Sequence, residues 1–430
     1  RGSKITDRRN WDSYYVDGKV VRIGPKEGLK MQGFPESFIF PVPKTQAMKQ
    51  LGNSVAVDAI RECSKALVDY LDILNKNTSR NEMTKTKNKG EWTEIYSFFK
   101  IINDKKIMLS DKNLKVDNNL DHFIVNKVST LNIPETCYLK ENGNIIVKNK
   151  NTGTEKIIST EGFLNASMLK DLASQISAKT KTFPMADIEL IQEKLGISII
   201  KGGNSDQKAD ILLGIKNRYF EKDNEGFGIK SYLGAKPTLL NASGATNFIY
   251  EVIGLSSDAL DKVNLINTRA KYKDRIQKIK ELGGRLSFHK IERETFSYNL
   301  SLVDSLLPII VAKMLQQFYE DRTNLLSKNI EEVFRKNPDL AEDLQSLQVK
   351  LKRLLVANLL GFFPNTKWNG QNISNGTIVV KEDGDQVGFH VSDMKSLEDY
   401  LFNNIKFDTP SSRNRFGNLY LENDKRLYFK

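Results

Sequence analysis

The stretch from Asn75 to Lys89 sets the strongest constraint on what this chain can fold into. Lys76, Arg80, Lys85, Lys87 and Lys89 stand there among Asn, Thr and Ser, with Glu82 as the one acid and Met83 as the one sizeable apolar side chain. Such a sequence buries too little apolar surface to offset the entropy of ordering it. It therefore reads as a solvated basic linker, and the chain must build separate cores on either side of it, in residues 1–74 and 90–430.

The first part has a strand pattern at Lys19–Ile23 and a Gly- and Pro-punctuated stretch through Pro43. A helix is expected to start after Gly52-Asn53-Ser54, with Asn53 or Ser54 as its cap. Ile60, Cys63, Leu67, Leu71 and Leu74 recur every three or four positions, which predicts a buried face. The second part reads as a helix (Glu91–Ile102), β-rich sequence to about Phe163, more helix, then paired strands across residues 210–232. A further strand is expected near Pro237–Asn241. Helix dominates from Ser256 to Gly361, broken at Gly283-Gly284, with Leu340, Leu344, Leu347, Leu351, Leu354 and Leu355 as a buried face. A β-rich segment from Ile378 closes the chain. The class is α+β, with a core in about 90–255 and a largely helical extension with a β-rich end in about 256–430.

Hydrophobic residues make up 39% and charged residues 27%, the balance of a globular chain. No apolar run is long enough to span a bilayer and no secretory signal is recognisable, so no membrane partner is expected. Two cysteines, Cys63 and Cys137, allow neither a disulfide framework nor a cysteine zinc site, which suits a reducing cytoplasm. The formal charge of +12 favours phosphate-rich partners. Arg1 at the start and a strand-like alternation running to Lys430 lead us to expect a piece of a longer gene product.

The chemistry concentrates around Lys208-Ala209-Asp210-Ile211 and Gly226-Phe227-Gly228-Ile229-Lys230-Ser231. Two β-type runs flank a polar stretch, Asn217–Gly226, and a hairpin centred in it sets Asp210 opposite Lys230. A carboxylate beside an ammonium is what metal-assisted phosphodiester hydrolysis uses: the acid holds Mg²⁺, and the lysine steadies water or phosphate charge. The spacing is that of a PD-(D/E)xK core, a mixed sheet flanked by helices. Its second acid would stand at Gly228, so that carboxylate must come from Glu225, Glu94 or, our preference, Glu91. Taken alone, Asp210 and Lys230 read more readily as a surface ion pair across a hairpin than as a catalytic pair.

Met31-Gln32-Gly33-Phe34-Pro35 and Gln50-Leu51-Gly52-Asn53-Ser54-Val55-Ala56-Val57 resemble the last two blocks of cytosine-5 DNA methyltransferases, in order and at the right distance. The resemblance implies that Asn53 and Ser54 contact S-adenosylmethionine once the enzyme is complete. The family's cofactor loop, Pro-Cys nucleophile and catalytic glutamate are not in this sequence. Cys63 reads as a core residue, and the segment is expected to have no chemistry of its own.

Gly90-Glu91-Trp92-Thr93-Glu94, the blocks around Asp210 and Lys230, Pro237-Thr238-Leu239-Leu240-Asn241-Ala242-Ser243, Thr246-Asn247-Phe248 and Pro410-Ser411-Ser412-Arg413-Asn414-Arg415-Phe416-Gly417 resemble the HpaII family of type II restriction endonucleases. That resemblance implies a Mg²⁺-dependent, site-specific deoxyribonuclease of a prokaryotic restriction–modification system, cutting double-stranded DNA at a CCGG-type palindrome. It also implies serine where Gly228 stands. A methyltransferase neighbour fits independently, because a restriction enzyme needs its sites protected in the host.

Ser231, Asn241, Ser243, Thr246 and Asn247 are candidate DNA contacts, as are Arg413 and Arg415, since arginine reads guanine bidentately. Turn and capping chemistry explains the 241–247 block equally well. The basic helix expected from Asp258 to Glu281 is either a phosphate track or a solvated face. His122, His289 and His390 show no metal-ligand spacing and read as structural. A second copy of the chain is one option as partner. The competing reading is a non-cleaving DNA-binding or specificity subunit that completes a split cytosine-5 methyltransferase.

Overall fold

The computed structural model describes residues 13–68, 86–197, 207–233, 238, 243–409, 416–423 and 425–430. Leu71, Leu74, Asn241, Arg413, Arg415 and all but Thr238 of the expected 237–241 strand lie outside them. The chain divides into two compact units, Arg1–Thr84 and Lys85–Lys430.

In the first unit, β1 (Ser13–Val16) and β2 (Lys19–Arg22) form an antiparallel hairpin. Its turn is Asp17-Gly18, both with positive φ (50° and 79°), the geometry a two-residue hairpin loop demands. Helix α1 (Pro25–Met31) has proline in its first turn, and α2 (Lys44–Asn53) packs against it through Leu29, Ala47 and Leu51. A third helix, α3, covers residues 57–68. Two expectations change here. A helix does follow Gly52-Asn53-Ser54, since α3 begins at 57, but the tripeptide itself closes α2: Ser54 is its C-cap and its Oγ donates to the Leu51 carbonyl at 2.8 Å. The face of α3 is not buried either, for Ile60 is 52% and Leu67 58% exposed and Cys63 is exposed too. Among the described residues of this unit only Leu29, Ala47 and Leu51 are buried apolar side chains.

The second unit opens with β3 (Lys87–Asn88) and α4 (Lys89–Asp104). Asn88 and Glu91 close a capping box, in which the Asn88 side chain accepts from Glu91 N at 3.0 Å and Glu91 Oε2 accepts from Asn88 N at 2.9 Å. There follow β4 (Lys106–Ile107), β5 (Phe123–Thr130), β6 (Thr136–Glu141), β7 (Asn144–Asn149), β8 (Glu155–Ser159), α5 (Ala166–Ala178), β9 (Thr182–Phe183) and α6 (Ala186–Leu195). The hairpin β10 (Ile211–Lys216) and β11 (Glu221–Ser231) leads to β12 (Phe248–Ile253), α7 (Ala259–Asn264), α8 (Lys271–Glu281) and β13 (Arg285–Ile291). Helices α9 (Glu294–Val303), α10 (Leu307–Asp321), α11 (Leu326–Lys336) and α12 (Leu344–Leu360) precede β14 (Gly376–Val380), β15 (Gln386–His390), α13 (Met394–Asn404), β16 (Leu419–Leu421) and β17 (Leu427–Phe429).

The central sheet runs β15-β14-β11-β10-β5-β6-β7-β8, with β4 beside β5. It is mixed: β11 and β14 are parallel and the other pairs antiparallel. The class is thus α+β, as expected. Alternation splits the sheet's two faces between two cores. Ile211, Leu213, Phe227, Ile229, Ile378 and Val380 join Trp92, Ile95 and Phe99 of α4. Val379, Val387 and Phe389 join Leu351, Leu354 and Leu355 of α12 and Tyr400 of α13. A second antiparallel sheet, β13-β12-β17-β16, packs against α7 and α8.

The stretch from 256 to 361 is helical but also contains β13, entered directly after Gly283, whose φ of +87° makes the turn. The single basic helix expected from Asp258 to Glu281 is two, α7 and α8, broken at 265–270. Arg275 is not on a phosphate track: it is buried and bonds the carbonyls of Asn264, Ile266 and Gly417. The β-rich end also holds α13, whose Leu397, Tyr400 and Leu401 are buried. Among the described residues no single helix is long and apolar enough to cross a membrane.

Candidate active site

Asp210 and Lys230 sit on the hairpin as expected, but two positions out of the expected register. The turn is tight, at Asn217–Phe220: Asn217 N donates to Phe220 O, and the Asn217 side chain accepts from the N–H groups of Tyr219 and Phe220. The polar residues Glu221–Glu225, read as loop, are strand. With a bulge at Leu213/Gly214, Ile211 faces Phe227, so Asp210 falls against Gly228, not Lys230. Asp210 N donates to Phe227 O at 2.8 Å, and Asp210 Oδ2 accepts from Ile229 N at 2.7 Å. The shift is even, so Asp210 and Lys230 keep the same face as diagonal neighbours, roughly 7–8 Å apart by sheet geometry. Gly228 is closely packed: a Cβ there would lie 3.0 Å from Lys208 O and 3.8 Å from Asp210 Oδ2.

The acid brought to this pair is Glu94. Burial raises its carboxyl to about 7, the Asp210 and Glu91 charges push the same way, and Lys230 and Lys87 oppose them. Asp210 is also raised by burial, against the Ile229 N–H bond and Lys230. Glu91, our preferred ligand, is instead held at the start of α4, where its carboxylate closes the capping box. An Asn-x-x-Glu spacing at a helix start is visible in the sequence and would have pointed to this use. Glu225 is raised by burial and bonded by Asn375, and its Oε2 lies 3.7 Å from His390 Nε2.

Helix α4 is fixed over β11 by hydroxyls. Thr93 Oγ1 donates to Lys89 O at 2.7 Å, so in its 2.8 Å contact with Ser231 Oγ it accepts. Ser231, an expected DNA contact, is therefore tied to the helix that carries Glu94. Lys89 Nζ donates to Ser177 O and Leu233 O, adding a second anchor. Lys230 lines a cleft of about 480 Å³ together with Lys208, Ser231, Thr377, Asn358 and Tyr400. Burial and the neighbouring Lys230 charge depress the Lys208 ammonium to about 8.

The other candidates are placed elsewhere in this unit. Ser243 and Thr246 bond each other across a turn, Ser243 N to Thr246 Oγ1 at 3.1 Å and Thr246 Oγ1 to Ser243 O at 3.3 Å. Asn247 Nδ2 donates to Glu292 Oε2 at 2.8 Å. All three line a pocket with Tyr272, Tyr319 and Phe407, away from Asp210. His390 is buried, stacked on Phe227, bonded to Ser392 and pushed down to about 4 by burial, so it is neutral and structural.

Asp210 and Glu94 suit a hard divalent cation. They are two oxygen donors, raised by burial, whose charged forms a bound cation favours. Among the described residues no three Asp, Glu, His or Cys side chains converge. Among the described residues the site thus offers two carboxylates, a supply that suits an ion keeping several of its waters.

Comparison with known proteins adds an independent line. The family model for the HpaII restriction endonuclease matches residues 88–430, and that for C-5 cytosine-specific DNA methylase matches residues 3–69. The chain is 35% identical over 350 residues to the type II restriction enzyme HpaII of Haemophilus parainfluenzae, covering 78% of this chain and 94% of that protein. Its N-terminal segment is 40% identical over 70 residues to the type II methyltransferase M.DsaV of Dactylococcopsis salina, 14% of this chain and 20% of that protein. It is 43% identical over 61 residues to the type II methyltransferase M.HpaII of H. parainfluenzae, 13% of this chain and 17% of that one. The chain thus spans at most a fifth of these methyltransferases. No solved structure matches it.

Proposed function

Because the chain belongs to the HpaII restriction endonuclease family, we propose that it cuts double-stranded DNA at a CCGG-like palindrome, with Mg²⁺, at Asp210, Glu94 and Lys230. The observation that carries this reading is geometric: the register that sets Ile211 against Phe227 leaves Asp210 and Lys230 as diagonal neighbours on one face of the sheet, and the half-buried carboxyl of Glu94, raised by burial, feels both charges. Asp210 and Glu94 would hold the cation. A divalent ion bound there polarises a phosphate and lowers the pKa of water. Lys230, on the same face as Asp210, stabilises negative charge as it develops on the phosphate. Asp210 is oriented by the Ile229 N–H, and Glu94 by the Thr93–Ser231 link. On this reading the site is of the PD-(D/E)xK type with its second acid supplied by a helix, which the shared sheet face of Asp210 and Lys230 supports.

The N-terminal segment fits the same system. Its match to M.HpaII pairs with the match of the rest to HpaII, and both relatives come from one organism. With a fifth or less of a methyltransferase present, it transfers no methyl group by itself, and S-adenosylmethionine would be held only if the missing part were supplied. One carboxylate pair per chain and two DNA strands to cut lead us to expect a homodimer on the DNA.

The test is incubation of the chain with plasmid in Mg²⁺ and in EDTA. Discrete metal-dependent fragments are expected, and Asp210→Ala and Lys230→Ala should abolish them. Cutting by both variants at the parent rate removes this site from the reaction. Tight duplex binding with no cutting in any divalent metal favours a non-cleaving specificity subunit.

A further inference from the structure

Several poorly exposed lysines of the second unit have an acid beside them. Lys100 pairs with Asp104, Lys127 with Asp223, Lys350 with Asp304 and Lys352 with Asp399. Lys208 has no such partner among the described residues. Its ammonium lies instead 4.1 Å above the centre of the Phe363 ring, and it lines the same cleft as Lys230. It stands two residues before Asp210, just ahead of β10, with its carbonyl packed against Gly228. Two ammonium groups therefore line one cleft, and among the described residues no acid pairs with Lys208 there. Such an arrangement is stable with an anion at the cleft and wasteful without one.

We propose that Lys208 is a DNA phosphate contact: held by the face of Phe363, its ammonium binds a backbone phosphodiester of the duplex lying in the cleft. The ligand class follows from the site. A diester carries one negative charge on two non-bridging oxygens, which a compact ammonium meets as a point charge. The aromatic face holds that ammonium without consuming its charge, as an acid would. Lys208 thereby contributes a phosphate grip beside the Asp210–Glu94 pair, and this inference rests on the nuclease reading of that pair.

The experiment is equilibrium binding of a short duplex that the parent cuts, at several salt concentrations, in an Asp210→Asn background that prevents cutting. Adding Lys208→Gln should weaken binding about tenfold and flatten the slope of log K against log[salt] by about 0.9, the value for one phosphate contact. Lys208→Arg should retain the slope. Duplexes with single neutral methylphosphonates should identify one position that weakens the lysine protein and leaves Lys208→Gln unaffected. An unchanged slope in folded Lys208→Gln, with no such position, overturns the proposal and makes Lys208 a packing residue. If Asp210→Asn alone still cuts DNA, the nuclease reading of the pair falls instead, a distinct result.

Discussion

In α12, Leu347, Leu351 and Leu354 are buried against α9, α11 and α13, and Leu354 is 1% exposed. In α3, Ile60 and Leu67 recur at the same helical spacing and stand more than half exposed. The two helices make equally good apolar stripes, and only one has been given something to pack on. The second unit brings three helices and a sheet to α12, while among the described residues of the first only Leu29, Ala47 and Leu51 form a buried apolar core. The same contrast governs chemistry. Asn53 and Ser54 sit at the end of α2 with Ser54 engaged by its own helix. Asp210, Glu94 and Lys230, from a strand, a helix and a second strand, act on one another. A segment with a recognisable sequence gains a function only where other segments converge on it.

The sharpest way to break this contrast is at the convergent site. Asp210→Asn and Glu94→Gln should each lower the plasmid-cleavage rate by on the order of 10²–10⁴-fold, with circular dichroism unchanged. Glu91→Gln should keep most of the activity, because its carboxylate caps α4. If Glu91→Gln is the dead variant and Glu94→Gln cuts normally, the assignment of the second acid reverses.

Next in size is packing. Leu354→Ala should destabilise the second unit by roughly 2–5 kcal/mol, read as a lower denaturant midpoint at unchanged slope. A loss under about 1 kcal/mol would mean that the α12 core is loosely filled.

The site itself should be a source of instability. Glu94 has a folded carboxyl near 7 against an ordinary value of 4.5. Between those values the folded state holds more protons than the unfolded one, so the stability this group contributes is complete below about 4.5 and lost as pH rises to 7. Glu94→Gln, measured in EDTA, should therefore gain on the parent as pH rises, by on the order of 1–3 kcal/mol at pH 8. Added Mg²⁺ should narrow the gap by stabilising only the parent. With limiting metal, cleavage should rise with pH up to about 7, since the cation needs the ionised acid. A stability difference that does not vary with pH would mean that Glu94 is not buried as described.

What was legible in the sequence divides along physical lines. Helix α4, the 210–232 hairpin and the α12 face follow from local periodicity and were readable. Register was not, because it depended on a turn and a bulge: Asn217 closes the turn by accepting two backbone N–H groups, and the bulge at Leu213/Gly214 then sets Asp210 against Gly228 in place of Lys230. The choice between Glu91 and Glu94 depended on a cap three residues long, which the Asn88–Glu91 spacing did announce. Ser231 and Asn247 were legible as polar residues but not as partners of Thr93 and Glu292, since those contacts span 138 and 45 residues. The covering of α3 could not be read at all, because periodicity reports that a face is apolar and never which segment meets it.

The smallest expected effect tests that last point. Leu67→Ala removes the same side chain as Leu354→Ala, from a helix of the same apolar spacing. In the chain as it stands the side chain is already in water, so there is no cavity to leave and little transfer energy to lose. The change should stay within about 0.5 kcal/mol, some of it favourable because alanine is the better helix former. It should also leave plasmid cleavage untouched, since the nuclease site draws every residue from beyond Lys85. The readout is thermal unfolding of the parent and Leu67→Ala side by side. A loss approaching that of Leu354→Ala would show that α3 is covered in solution, and the two units would then differ in size but not in completeness.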